Sequence, residues 1–171
     1  MKRLLNRIFR REEINGDGRC PTYLFRWTLL RVGSVFSIYL HKFVGDDWSL
    51  DLHDHPKRFI SIGLWGGYTE TTPRKLVSVG GGPWSPAADN GCRCRGCWPL
   101  DLIRVFRAPW IRTFPAHHIH RLTGPTPEHP CWTLVIVGRA VRPWGFWHAH
   151  TFIPWRKYVA SDTATARKAC P

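Results

Sequence analysis

The sequence predicts an all-β protein, built as a double-sheet jelly roll or barrel. Its 171 residues suit one domain with a real core, and 43% of them are hydrophobic, which excludes a disordered polymer. The 14 prolines and 15 glycines separate short apolar runs, a texture that favours strands over a helical bundle. These runs indicate eight or more short strands, and no internal segment has convincing helical spacing.

The chain is expected to open with a short basic amphipathic helix over residues 1–13. Its apolar residues fall at helical spacing: Leu4, Leu5, Ile8 and Phe9. Such a helix either packs on the outside of the domain or lies on a membrane surface. A turn over residues 15–18 then leads into one domain over residues 20–160, and residues 161–171 form a C-terminal tail.

Four apolar, β-rich runs are expected to form the strands of the first half: residues 23–32, 35–43, 58–71 and 75–79. In the second of them Phe36, Ile38 and Leu40 alternate with polar or amphipathic residues, which is typical of a half-buried strand. The third is expected to bend at Gly66-Gly67. Residues 80–98 form an irregular loop.

The second half is expected to contain strands over residues 101–110 and 112–122, meeting near Pro109. Residues 131–137 are almost continuously apolar, which indicates a buried strand. The aromatic segment 146–159 would then close the barrel.

A candidate metal site begins at Leu52-His53-Asp54-His55-Pro56. Residues two apart in an extended strand point to the same side, so His53 and His55 would offer two imidazoles to one point. A third can come from His117, His118 or His120, and His120 is preferred because Pro115-Ala116 before it suggests a turn that aims it inward. Three imidazoles would bind Fe(II), Zn(II), Ni(II), Cu(II) or Mn(II).

The residues around this metal site are less sharply defined. His118 and His117 remain possible additional ligands. Asp51 shares strand parity with His53 and His55, so it is the carboxylate expected to accept a hydrogen bond from one of these imidazoles. Asp54 lies between the two ligands and should point away from them.

These residues resemble the motifs of the cupin superfamily. His53 and His55 match the paired histidines of the first cupin motif, and Gly66 or Gly67 its closing glycine. Pro115 and His120 match the second motif. The motif glutamate is missing, because Phe59 or Ile60 stands in its place, and His117 and Thr123 or Gly124 replace two further motif residues.

The chain also looks like small uncharacterised cupin-like proteins of bacteria and phages. The resemblance implies a double-stranded β-helix (jelly-roll) barrel, and loss of the glutamate is similar to three-histidine cupins, which include dioxygenases. An Fe(II) dioxygenase acting on a small anionic or aromatic substrate is therefore the leading hypothesis. A zinc, nickel or manganese isomerase or lyase is the alternative. Since cupins often pair through their sheets, the resemblance also implies a homodimer.

Several other side chains are candidates for binding a substrate. Two arginines can clamp a carboxylate or phosphate, and aromatic residues can line a pocket or supply a hydroxyl: Arg142, Arg112, Trp132, Tyr68 and Trp147. Packing in the core or exposure on the surface is the alternative for each. Cys92, Cys94 and Cys97 would hold a structural metal, form a disulfide or stay as thiols.

The formal charge of +13 favours anionic partners, including nucleic acid, so a basic binding module with a structural metal is a third hypothesis. No run is apolar and long enough to span a membrane, and no secretory signal is recognisable. We therefore expect a cytoplasmic protein whose six cysteines are thiols. The sequence carries neither a Walker-type phosphate loop nor a G-x-S-x-G elbow.

Overall fold

The computed structural model of the protein describes residues 10–15, 20–73, 101–148 and 151–160, and it is dominated by antiparallel strands, as predicted. The described elements follow one another along the chain as β1 (Arg11–Ile14), β2 (Leu24–Val32), β3 (Phe36–Phe43), β4 (Leu52–His53), β5 (Lys57–Trp65), β6 (Gly67–Pro73), β7 (Asp101–Arg107), β8 (Trp110–Phe114), β9 (Arg121–Thr123), β10 (Cys131–Ala140), β11 (Gly145–His148), β12 (Thr151–Pro154) and α1 (Trp155–Ala160).

Three sheets surround a cavity. The largest has six strands in the order β1-β2-β3-β10-β5-β8, and two smaller sheets have the orders β12-β11-β4 and β7-β6-β9. Residues of all three sheets line the cavity, for example His41 from the first, Phe146 from the second and Tyr68 from the third. Strands that are distant in sequence therefore contribute to one interior.

The inner face of the large sheet carries polar as well as apolar residues. Along β3 the buried positions are Ser37, Tyr39, His41 and Phe43, while their apolar neighbours are only partly buried. The half-buried strand is therefore confirmed, and its buried side is the one that carries a serine, a tyrosine and a histidine. Polar groups facing inward are expected where a β-barrel encloses a ligand cavity rather than a solid core.

The predicted N-terminal helix is not supported. Residues 1–9 lie outside the described part of the chain, and residues 11–13 belong to β1, which pairs with β2 through Arg11 opposite Trp27. The free edge of β2 offers this segment backbone hydrogen bonds along its length, and the Arg11 guanidinium lies 5.2 Å from the Phe25 ring centroid. These long-range contacts outweigh a local helical pattern.

Two of the predicted strands are divided in the structure. The segment 112–122 leaves the sheet after Phe114, turns with a hydrogen bond from the His118 amide to the Pro115 carbonyl (3.0 Å), and resumes as β9. The segment 146–159 is two strands followed by α1, whose Tyr158 side chain is buried against the barrel.

The bend predicted at Gly66-Gly67 is confirmed between β5 and β6. Gly66 has φ +72°, and a Cβ there would lie 2.2 Å from the Pro130 carbonyl oxygen, so only glycine fits. The segments predicted over residues 75–79, 80–98 and 161–171 fall outside the described residues, as do Cys92, Cys94 and Cys97.

The described cysteines differ in state. Cys131 is a free, buried thiol, as expected, whereas Cys20 is disulfide-bonded, contrary to the expectation of thiols throughout. In the described part of the chain, no helix has the length and apolarity to cross a membrane.

Candidate metal centre

The structure brings His53, His55 and His120 together on the wall of the cavity. One ring nitrogen from each lies within 4.8 Å of one from each of the others. His53 and His120 exchange both of their backbone hydrogen bonds, at 2.8 and 2.9 Å. The His55 amide donates to the Ala116 carbonyl at 3.1 Å, so the main chain fixes all three positions. His55 itself follows β4 rather than lying within it.

The electrostatic setting favours neutral imidazoles with free lone pairs. Burial, reinforced by the neighbouring histidines, lowers the pKa of His53 and of His55 well below the usual value. The positive charge of Arg26 contributes in the same direction to the pKa of His55. Because a metal must displace any proton on its ligand, rings that are already unprotonated near neutral pH suit a divalent cation.

Glu70 on β6 orients the third imidazole. Its carboxylate is 1% exposed and accepts hydrogen bonds from His120 Nδ1 (2.8 Å), His118 Nε2 (2.9 Å) and Arg112 Nη2 (2.5 Å). Burial alone would raise the pKa of Glu70, but these donors outweigh it and hold that pKa well below its usual range. The ionised carboxylate requires the His120 proton on Nδ1, which leaves the Nε2 lone pair toward His55 Nε2, 2.8 Å away.

Glu70 was missed because the cupin glutamate was sought at positions 59 and 60, on β5. The carboxylate reaches the site from β6 and meets the imidazole from behind rather than joining the three nitrogens. A signal existed in the sequence. Glu70 shares strand parity with Tyr68, and an acid at a buried position of a strand needs a buried partner. Glu70, His118 and His120 also form a second set of possible ligand atoms within 4.8 Å of one another.

A second carboxylate lies beside His53. Asp47 is 5% exposed, accepts a hydrogen bond from the Leu122 amide at 2.7 Å, and has an oxygen 3.7 Å from His53 Nδ1. Burial is the main cause that raises the pKa of Asp47 to about 6. The sequence analysis did not single out this residue, because its contact with His53 arises from the fold.

The predicted carboxylate, Asp51, faces the C-terminal segments. It accepts hydrogen bonds from His148 Nδ1 at 3.0 Å and from the Tyr158 hydroxyl at 2.8 Å. Asp51 therefore ties α1 and β11 to the barrel. Of the other histidines considered as ligands, His118 binds Glu70 and His117 is exposed.

Asp54 points away from the three imidazoles, as parity predicts, and is fully buried. It accepts hydrogen bonds from Arg142 Nη1 (2.5 Å), the Gly145 amide (2.9 Å) and Trp147 Nε1 (3.2 Å). Two residues predicted to bind substrate, Arg142 and Trp147, thus hold the segment between His53 and His55 in place.

The remaining substrate candidates are divided between the inside and the outside of the barrel. Tyr68 lines the cavity, and its hydroxyl accepts a hydrogen bond from Arg112 Nη1 at 3.0 Å. Trp132 occupies the strand position between two inward-facing residues and stacks on Trp27 at 5.7 Å, which places it on the outer side of the sheet.

The cavity beside the three imidazoles has a volume of about 440 Å³. That volume lies in the range of sites for small organic molecules. Its wall is aromatic near the histidines. The Phe59 ring stacks on the Phe114 ring with their centroids 4.6 Å apart, and it lies edge-on to the His55 ring with a centroid distance of 4.8 Å. Farther along the inner face of the large sheet the wall becomes polar, with Arg26, His41 and Thr133.

Solved structures share this fold at low sequence identity. The polyketide cyclase RemF from Streptomyces resistomycificus aligns with a TM-score of 0.53 and 12% identity, covering 93% of this chain and 92% of its own. A cupin superfamily protein from Desulfitobacterium hafniense aligns with a TM-score of 0.42 and 15% identity, covering 68% of this chain and 77% of its own.

The DMSP lyase DddQ from Ruegeria pomeroyi aligns with a TM-score of 0.47 and 12% identity over 75% of this chain, which spans only 55% of the lyase. No protein-family model and no curated protein matches the sequence. The likeness to RemF, at 12% identity, is one of fold alone, and it agrees with the predicted all-β architecture.

Proposed function

We propose that this protein is a metal-dependent enzyme that binds a divalent transition metal through His53, His55 and His120, with Fe(II) as the leading metal. The observation that carries the proposal is the convergence of three imidazoles on one point of an internal cavity, with Glu70 fixing the tautomer of the third. Imidazole nitrogens suit iron, zinc, copper and nickel, so the donor set fits such a cation.

The metal would supply Lewis acidity and, as iron, redox chemistry with O2 on a small anionic or aromatic substrate. The protein residues supply the setting. Glu70 keeps the His120 proton on Nδ1, and the Asp47 carboxylate lies beside His53. Phe59 and Phe114 form an apolar wall that keeps water from the substrate.

The first test is metal content. The full-length protein, purified without chelator, is expected to contain close to one transition metal ion per chain, and elemental analysis would identify it. His120→Ala should lose most of the metal. His117→Ala is the matched control, because His117 lies three residues away and is exposed, so it should keep the metal. Equal metal contents in the two variants would contradict the proposed site.

The second test separates the reaction types. Oxygen uptake by the iron-loaded protein against a panel of small carboxylates and phenols is expected, with none in His120→Ala. Turnover under anaerobic conditions with zinc, nickel or manganese would instead favour the isomerase or lyase alternative.

A further inference from the structure

A cross-strand row of polar residues forms part of the cavity wall. Arg26 on β2 is paired in register with His41 on β3, and His41 with Thr133 on β10. All three line the same cavity as His53, His55 and His120. We call Arg26, His41 and Thr133 the basic row.

Arg26 is held by its neighbours but keeps its terminal nitrogens for other partners. Its Nε donates to His41 Nε2 at 3.1 Å, and its guanidinium carbon lies 5.1 Å from the Tyr39 ring centroid. Within the described residues, no carboxylate forms an ion pair with Arg26, and no group accepts a hydrogen bond from its two Nη atoms. A rigid guanidinium with both Nη atoms unused is a fork that matches a carboxylate.

His41 holds the Arg26 guanidinium through a hydrogen bond and carries no positive charge of its own. Burial, together with the charge of Arg26, lowers the pKa of His41 well below the usual value, so the ring is neutral. Because Nε2 accepts from Arg26, the ring proton is on Nδ1. His41 therefore adds no positive charge, and the net charge of the basic row belongs to Arg26.

A second observation, independent of Arg26, points to a bound ligand at Thr133. Its side chain is 1% exposed, and its hydroxyl has no hydrogen-bond partner among the described residues. An unsatisfied buried hydroxyl costs free energy, and the usual solution is a bound water or ligand oxygen. The hydroxyl lies in the same cross-strand row as the guanidinium.

We propose that the basic row binds the carboxylate of a small substrate whose reacting end lies at the three imidazoles. The role of this carboxylate binding in a reaction rests on the proposed function. The inference adds to that function the chemical class of the substrate. The arginines that the sequence singled out are already engaged, Arg112 with Glu70 and Arg142 with Asp54, whereas Arg26 has no acidic partner among the described residues.

The test measures carboxylate binding separately from metal binding. Calorimetric titration of the full-length protein, as purified and after chelator treatment, would use acetate and benzoate against the neutral amides acetamide and benzamide. At least one carboxylate is expected to bind more than tenfold more tightly than its amide, because only the anion engages the guanidinium. Failure of both carboxylates to bind would overturn the proposal.

Variants locate the binding site. Arg26→Gln is expected to weaken carboxylate binding by about tenfold or more, and Thr133→Val by a smaller factor. Arg58→Gln, on the exposed side of β5, should bind as the parent does. Thr133→Val removes a hydroxyl that has no described partner while keeping the shape of the side chain, so it should stay folded even if Arg26→Gln does not.

Three results would contradict the assignment. The first is unchanged carboxylate binding in both Arg26→Gln and Thr133→Val. The second is a loss confined to Lys57→Gln, since Lys57 also lines the cavity. The third is tighter binding of inorganic phosphate than of either carboxylate. A protein that binds carboxylate but no metal would refute only the proposed function, whereas one that binds metal but no carboxylate would refute only this inference.

Discussion

Glu70 is the residue on which the candidate metal centre depends most. One buried carboxylate accepts hydrogen bonds from two histidines and an arginine, and one of those histidines is a proposed ligand. Carboxylates behind metal-binding histidines set the tautomer and raise the basicity of the ring. The effects of Glu70 on stability and on metal affinity should therefore appear together.

Glu70→Gln is expected to lower the free energy of unfolding of the chelator-treated protein by about 2–3 kcal/mol at pH 7, because Arg112 loses its buried ionic partner. Metal affinity should fall by about 10- to 100-fold. Urea unfolding and a competitive metal titration would measure the two effects. Glu13→Gln, on the exposed edge strand, should change stability by less than about 0.5 kcal/mol.

The stabilising effect of Glu70 should depend on pH in a defined direction. The pKa of Glu70 is lower in the folded protein than its ordinary value near 4.5, so the unfolded chain takes up this proton first as the pH falls. The stabilisation is complete above that ordinary value and is lost progressively below it. The difference between the parent and Glu70→Gln should thus shrink between pH 5 and about pH 3. If the difference in unfolding free energy between the parent and Glu70→Gln did not change over this pH range, Glu70 would not be ionised in the folded protein.

The residues that the sequence identified and those that it missed differ in one physical respect. His53 and His55 are detectable because two residues apart in an extended chain is a local relation. Glu70 and Arg26 contact His120 and His41, which strand pairing brings close. Asp47, which lies between β3 and β4, comes beside His53 through the path of the chain outside the strands. Local spacing contains no such contacts. The parity of Glu70 with Tyr68 marks a buried acid, but it does not identify His120 as the partner of that acid.

At the scale of strands, β5 and β8 are joined by a contact that requires glycine. A Cβ at Gly63 would lie 2.3 Å from the Trp110 ring, which packs edge-on against Tyr68 at 5.2 Å. Because Tyr68 forms part of the cavity wall, the close approach of Gly63 and Trp110 affects the shape of the cavity.

Gly63→Ala is expected to destabilise the protein by about 1–3 kcal/mol, because the indole must move away from a crowded position. Gly138→Ala on β10 is the control, since a Cβ there would lie 3.6 Å from the Arg58 carbonyl oxygen, an ordinary contact. Thermal and urea unfolding would compare the two. If Gly63→Ala and Gly138→Ala were equally stable, β8 could shift without a cost in free energy, and the prediction would be wrong.

Strand prediction succeeded where alternation or a continuous apolar run was clear, as in β3 and β10. It failed where a segment changes sheet or direction. The stretch 112–122 leaves one sheet after Phe114 and enters another at Arg121, and the turn between them places His120 at the site. The helix expected at the start of the chain is replaced at residues 11–13 by an edge strand.

At the scale of the whole molecule, the candidate site joins segments that are far apart in the chain. His55 and His120 are separated by 65 positions, and Asp54 and Trp147 by 93. A ligand that binds all three imidazoles can therefore bind only the folded state. Its binding free energy adds to the stability of the fold.

Metal binding should consequently raise the thermal unfolding temperature. With free metal at about one hundred times the dissociation constant, the added stability is about 2.7 kcal/mol. Calorimetry of the chelator-treated protein, before and after metal addition, would measure the shift, and excess chelator should reverse it. His120→Ala should show little shift, and a shift as large as that of the parent would contradict this account.

The homodimer and the affinity for nucleic acid remain predictions.

The reciprocal backbone pair between His53 and His120 has a consequence for how this site can change. The peptide groups, and not the imidazoles, set the spacing of the two positions. An exchange such as His53→Asp would replace a neutral donor by an anionic one while the main-chain trace stays the same. The metal preference of the proposed site is therefore open to change by single-residue evolution and by redesign.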